Sequence, residues 1–407
     1  MADQPDFKSF TSQAAAQGTA GYWNYPDIQV RWAFEAGLPD PDTFPIDDLV
    51  RISQHVLRSD AADALQYGGG AHGSIMYGYE GLRDRLAERT ADREGRSVDR
   101  RGVLLTSGGV QGISLVCDAF LDPGDVVAVE APTWGAVLTS VRRRGAEPVA
   151  IPLDDDGMRL DVLEERLREL AAAGRRLKLV YTIATFHTPT GVCLSLERRQ
   201  RLIELAQRFD FLILEDNVYG ELRYAGESIP TIFSLDESDR VLKVDSLSKV
   251  LAPALRLGWV TGHPDAIGAL SAVRGDLGVS QWIARIAAEF LGQGLLDPHI
   301  ARVNELYRRK LEVARKALQE HCGAHLRWNQ PDGGYFLWCE LADGIDGREV
   351  MKRAIAQGVV CRPGERFFGD EDPGRQFFRL AFIMVPIDEI ERGIAVLGSA
   401  IAESVRS

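Results

Sequence analysis

The middle of the chain alternates short apolar runs with longer amphipathic stretches. Val103-Leu-Leu, Val126-Val-Ala-Val, Leu179-Val-Tyr-Thr-Ile, Phe211-Leu-Ile-Leu and Val241-Leu-Lys-Val are too short for helices and rich in β-branched residues, so they read as strands buried on both faces. After the first of them, apolar positions 113, 116, 117 and 120 fall on one side of a 3.6-residue period and predict a helix. This alternation predicts an α/β fold with a mostly parallel central sheet flanked by helices. Each of the five runs is followed directly by polar, glycine or proline residues: Thr106-Ser-Gly-Gly, Glu130-Ala-Pro-Thr-Trp, Phe186-His-Thr-Pro-Thr-Gly, Glu215-Asp-Asn-Val-Tyr and the loop around Lys249. Open parallel sheets bind ligands at the carboxyl ends of their strands, so five strand ends point to one site. Further on, Asp297-Pro298 predicts a helix start with aspartate as cap and proline behind it. Ile300, Val303, Leu306, Tyr307, Leu311, Ala314 and Leu318 give that helix one apolar face, and Gly323 can end it. Strands near 334–339 and 377–383 and a helix from about Asp388 then predict a smaller α+β domain.

Length and charge narrow the class. At 407 residues the chain exceeds one ordinary core, so two packed domains are expected. A net charge of −12 leaves no basic face for nucleic acid. The sequence has no apolar run long enough for a membrane span, and its first residues lack the order of a signal peptide. Five cysteines without a CxxC pair, and seven histidines without HExxH, give no metal site and fit free thiols in a reducing cytoplasm.

The chemistry concentrates at residues 244–259, Val-Asp-Ser-Leu-Ser-Lys-Val-Leu-Ala-Pro-Ala-Leu-Arg-Leu-Gly-Trp. A lysine flanked by Ser246 and Ser248, with Arg256 two turns on, suits a cofactor that is both aldehyde and phosphate: the lysine forms a Schiff base while serine and arginine hold the phosphate. This segment resembles the lysine motif of the pyridoxal 5′-phosphate (PLP) dependent class I/II aminotransferases of fold type I. The resemblance runs from Gly37-Leu-Pro-Asp-Pro to Arg379-Leu-Ala-Phe and is nearest to the 2-aminoadipate/kynurenine aminotransferase branch.

That resemblance implies roles for further residues. Asp216 would sit beside the cofactor's pyridine nitrogen and keep it protonated, and Tyr219, three residues on, would bond its 3-oxygen. Thr106-Ser-Gly-Gly-Val-Gln-Gly resembles the phosphate turn, in which the amides of Gly109 and Val110 face the anion. Trp134 matches the aromatic stacked on the ring, Arg379 the arginine that grips the substrate α-carboxylate, and Gly37 the glycine beside that carboxylate. Tyr67 resembles a tyrosine that reaches the neighbouring subunit's phosphate, which implies a homodimer with shared sites. The implied division places a large PLP-binding domain at 51–285 and a discontinuous small domain at 1–50 and 286–407.

Three departures bear on the reaction. The family's Asn-Pro-Thr-Gly is Thr188-Pro-Thr-Gly here, which exchanges an amide for a single hydroxyl beside the cofactor and substrate. The stretch after Tyr67, Gly-Gly-Gly-Ala-His-Gly-Ser-Ile-Met-Tyr, is longer than in relatives; it makes His72 and Tyr77 candidate contacts and leaves Tyr67 or Tyr77 as the residue crossing to the partner. Glu35 stands where relatives carry a small residue and is a candidate substrate contact; His187 beside Thr188 has an open role. The leading reading is an aminotransferase that moves an amino group from an amino acid to a 2-oxo acid. The alternative keeps the cofactor but eliminates, decarboxylates or oxidatively deaminates. A transcription regulator with an aminotransferase-like effector domain would need further N-terminal residues and a basic patch.

Overall fold

The computed structural model describes residues 6–12, 15, 29–68, 75–368 and 373–405. Its strands are β1 (Trp32–Ala33), β2 (Val103–Thr106), β3 (Val126–Ala131), β4 (Glu147–Asp154), β5 (Gly157–Met158), β6 (Leu177–Thr182), β7 (Leu212–Asp216), β8 (Val241–Ser246), β9 (Gly258–Thr261), β10 (Leu326–Trp328), β11 (Phe336–Leu341), β12 (Val359–Val360), β13 (Arg362–Pro363) and β14 (Phe377–Ala381). The large sheet has the order β2-β9-β8-β7-β6-β3-β4-β5. β3, β4, β6, β7 and β8 pair in parallel, and β9 is antiparallel to both β8 and β2, so β2 runs with the parallel set. All five predicted strands therefore end at one edge.

Both faces of this sheet are covered, which explains the near-continuous apolar runs. Residues of alternate parity enter different cores: Val127, Val129, Leu179, Tyr181, Leu214, Leu242 and Val244 join one, and Val126, Ala128, Val180, Ile213 and Val241 the other. The first core continues without a break into the small domain through Tyr307, Phe336, Phe378 and Ile394. There β10-β11-β14-β13 form an antiparallel sheet, and β1 pairs in parallel with β12, tying the 32–33 segment to the C-terminal part.

The long helix differs from expectation at its start. It spans Leu296–His321 and begins before Asp297, with Leu295 as cap and no side-chain bond there. Gly294, at φ +68°, turns the preceding helix Gln281–Gly292 into it. The Asp297 carboxylate instead pairs with Arg89 and Arg93 at 2.7 and 2.8 Å, so tertiary ion pairing takes the group that the sequence offered as a cap. Among the described residues no helix is long and apolar enough to cross a membrane.

Candidate active site

The ends of β7 and β8 set the centre. Asp216 is the last residue of β7 and is buried. It accepts hydrogen bonds from the Tyr181 hydroxyl at 2.7 Å and the Val218 amide at 3.4 Å. Burial pushes its carboxyl up to about 6, although the Tyr181 bond pulls the other way. Lys249 follows the end of β8 by three residues, half-buried, and its Nζ donates to the Gly37 carbonyl at 2.6 Å. The ammonium also lies 5.5 Å from the centre of the Tyr219 ring. Ser246 and Ser248 bond each other at 2.9 Å, and the Ser248 amide donates to Ser246 Oγ at 3.1 Å.

Next to this centre, β2 ends in the Ser107-Gly108 turn, and the helix Gly109–Phe120 begins. Gly109 and Val110 are its first two residues, so their amides have no acceptor within the helix. Gly108 has φ +86°, and a Cβ there would lie 2.5 Å from Arg256 Nη2. Only glycine lets the guanidinium approach this turn. Arg256 is exposed and donates to the Ser107 carbonyl at 2.7 Å. Backbone amides at a helix start beneath an exposed guanidinium form a cradle for an anion. Trp134 stands half-buried at the end of the β3 loop, where it caps the helix Gly135–Arg143.

The opposite wall comes from the small domain and the 34–37 segment. Arg379, on β14, is buried with its guanidinium 4.0 Å from the Phe336 ring centre and 5.2 Å from that of Phe367. Its Nη2 donates to the Glu35 carbonyl oxygen at 2.6 Å, so it is the backbone of Glu35 that meets Arg379. Glu35 itself is buried, and its Oε2 makes no hydrogen bond among the described residues. Gly37 is in tight contact, since a Cβ there would lie 3.0 Å from Phe336 Cζ. Thr188 is buried with Oγ1 unbonded among the described residues. His187 faces the other way: Nδ1 meets Thr190 Oγ1 at 2.8 Å, and Nε2 lies 3.1 Å from Glu130, whose carboxylate accepts from Thr182 and the Ile183 amide. His187 thus anchors the loop that presents Thr188.

Tyr67 is 73% exposed. Tyr77 is half-buried, with the Arg83 guanidinium 4.9 Å from its ring centre. His72 lies outside the described residues. Four residues not anticipated from the sequence belong to the site. Tyr181 holds Asp216, Tyr335 donates to the Lys249 carbonyl at 2.6 Å, Asn217 bonds Asp245 at 2.8 Å, and Gln111 fixes the Ser107 amide at 2.6 Å. Tyr181 read as a strand core residue, and only its parity with the ligand-facing side distinguished it.

A lysine, a buried carboxylate with no ion pair among the described residues and an anion cradle at one sheet edge define a site for a phosphorylated aldehyde. The family model for aminotransferase class I and II matches residues 44–397. The aromatic-amino-acid aminotransferase 1 of Thermococcus litoralis is 40% identical over 372 residues, covering 91% of this chain and 88% of the relative. Among solved structures, the multiple substrate aminotransferase from Thermococcus profundus superposes with a TM-score of 0.91 at 37% identity, covering 99% of this chain and 100% of that one. The kynurenine aminotransferase of Pyrococcus horikoshii gives 0.91 at 35% identity, covering 99% of each chain. The chain belongs to the class I and II aminotransferase family and is a PLP-dependent aminotransferase of fold type I. The residues fit the cofactor: the raised carboxyl of Asp216 would be relieved by the positive charge of a protonated ring nitrogen, and Gly108 lets the Arg256 guanidinium reach the helix start where a phosphate would be held.

Proposed function

We propose that the enzyme takes aromatic and related 2-amino acids as donors and 2-oxo acids as acceptors, with Lys249 as the base and Arg379 as the reader of the α-carboxylate. PLP supplies an electron sink that lets the substrate Cα–H bond ionise. Lys249 Nζ takes that proton and returns it. Asp216 holds the positive charge at the ring nitrogen, and Tyr219 with Thr188 faces the 3-oxygen. Ser246, Ser248, Arg256 and the amides of Gly109 and Val110 hold the phosphate, while Trp134 covers the ring. Gly37 and Thr188 border the carboxylate position, and Glu35 holds Arg379 through its backbone.

The observation that carries this reading is the setting of Arg379, a buried cation between two aromatic rings at the mouth of an aromatic wall. Trp338 continues that wall, stacked on Phe377 at 5.3 Å and edge-on to Phe367 at 5.7 Å. A flat apolar wall beside a carboxylate-reading guanidinium favours amino acids with planar, apolar side chains. The relatives named above for aromatic amino acids and kynurenine support the same class.

The exposed Tyr67 supports a homodimer with shared sites. With Leu65 at 69% and Leu277 at 49% exposure it rims an open groove of about 600 Å³, and these exposed apolar side chains at its rim are ones that a second copy would cover. Tyr67, and not the half-buried Tyr77, is then the residue that reaches the partner's phosphate. The division into 51–285 and 1–50 with 286–407 belongs to this reading, as does a reducing cytoplasm for the five free thiols.

A single turnover of the PLP form with a panel of amino acids and no acceptor tests it. Phenylalanine, tyrosine and kynurenine should give stoichiometric 2-oxo acid and leave pyridoxamine phosphate. A panel in which dicarboxylic donors react fastest would overturn the substrate class.

A further inference from the structure

Tyr335 lies just before β11 and is wholly buried, in edge-to-face contact with Tyr219 at 5.5 Å and Tyr307 at 5.6 Å. A phenylalanine would pack as well there, so the hydroxyl needs its own explanation. That hydroxyl donates to the Lys249 carbonyl at 2.6 Å. It also faces the hydroxyl of Tyr307, on the long helix, which has the Thr43 hydroxyl beside it as well. The Tyr307 oxygen accepts the Asp40 amide at 3.0 Å. Asp40 stands three residues beyond Gly37, whose carbonyl takes the Lys249 ammonium at 2.6 Å. The path is closed: it leaves Lys249 by its backbone and returns by its side chain.

Two of the protons on this path are fixed. Tyr335 gives its one proton to Lys249, so its oxygen is left as an acceptor facing Tyr307, and the Asp40 N–H feeds Tyr307. Donors aligned in series polarise one another, which stiffens the chain. Asp40 is further fixed by the buried Lys310, whose ammonium lies 2.6 Å from its carboxylate and donates to the carbonyls of Ile383 and Val385 at 2.5 and 2.9 Å. The segment that carries Gly37 is thus bound to the small domain at one end and to the lysine at the other.

We propose that Tyr335 is a positioning residue: through Tyr307 and Asp40 it fixes the Lys249 backbone relative to the Gly37 segment, and so links the carboxylate side of the site to the placement of the base. This rests on Lys249 being the base.

The test is Tyr335→Phe, which keeps the ring, with Tyr307→Phe as its companion should the first fold poorly. In the cofactor-free protein, amide exchange of residues 38–42 should rise about three- to tenfold, the loss of one buried hydrogen bond. In the PLP form, the pH midpoint of the cofactor's visible absorption should move, and kcat should fall about tenfold while KM changes little. Tyr307→Phe should shift all three in the same direction and add little to the double variant. A lower melting temperature with unchanged exchange at 38–42, unchanged midpoint and unchanged kcat would overturn the proposal and leave Tyr335 as packing. Should Lys249→Ala retain turnover, the reading of the base fails instead, and the exchange result still decides whether the circuit exists.

Discussion

Glu215 and Asp216 are neighbours on β7, both buried, and they face opposite sides of the sheet. Glu215 accepts two amides, from Ile232 at 3.0 Å and Phe233 at 2.9 Å, and lies 4.0 Å from the buried guanidinium of Arg199. Burial pushes its carboxyl above the usual carboxylate range, and Arg199 and the two amides offset part of that rise. Arg199 is itself held by four hydrogen bonds, donating to the carbonyls of Leu194, Pro230 and Ala184 and to Thr185 Oγ1. Asp216 receives one hydroxyl and one long amide contact, while the Lys249 ammonium turns to Gly37. Equal burial therefore has two meanings. On the back face the carboxylate is partnered within the protein and holds a helix to the sheet; on the front face it has fewer partners, as the proposed contact with the cofactor's ring nitrogen requires.

Substitutions at the two ends should separate these meanings. The largest effect is expected from Lys249→Ala, which should lower turnover by at least about 10⁴-fold and abolish the covalent cofactor absorption while leaving the melting temperature of the cofactor-free protein nearly unchanged. Next comes the back face. Arg199→Met leaves the buried Glu215 without its cation, and denaturant unfolding should show a loss of about 3–5 kcal/mol. Activity per folded molecule should persist; a matching loss of kcat would mean that the two faces are not independent.

Asp216→Asn should do the reverse, lowering kcat by about 10²–10³-fold and stabilising the cofactor-free protein. The sign follows from proton binding. Native Asp216 keeps its proton up to about 6, whereas the unfolded chain releases it near the ordinary 3.8. Between those pH values the native state binds more protons, so this group's contribution to stability falls as pH rises. The variant has no such loss. Its advantage over wild type should grow from near zero below pH 3.8 to about 3 kcal/mol above pH 6, measured by urea unfolding across that range. Saturating PLP, with its charged ring nitrogen, should cancel that advantage.

The front face was readable where chemistry is contiguous in the chain. Ser246, Ser248, Lys249 and Arg256 fall within one loop, and the polar residues after each strand marked the sheet edge because a strand buried on both faces has nowhere else to put them. What was not readable joins distant segments. Tyr335 meets Lys249 across 86 residues and Lys310 meets Asp40 across 270, and each is a tyrosine or lysine that composition cannot distinguish from any other. Asp297 shows the opposite failure: its local signal for a cap was sound, and Arg89 and Arg93, brought in by the fold, outbid it.

Thr188 gives the smallest expected effect and the sharpest use of the comparison. Like Asp216 it is a buried polar group on the front face that the protein underserves: its Oγ1 makes no hydrogen bond among the described residues. Its backbone is held independently, since the His187 amide donates to Val192 at 2.8 Å, the Gly191 amide donates to His187 at 2.6 Å, and the His187 ring is pinned to Thr190. Thr188→Asn should therefore change only what the side chain offers the cofactor, two amide donors and a carbonyl in place of one hydroxyl. An added or lost hydrogen bond of ordinary strength, about 1 kcal/mol, predicts a several-fold change in kcat or KM and a displaced pH midpoint of the cofactor absorption, with 2-oxo acid still the product and stability unchanged. If rate and midpoint both stay fixed, the unbonded hydroxyl is inert. The front face would then owe its character to Asp216 and Lys249 alone.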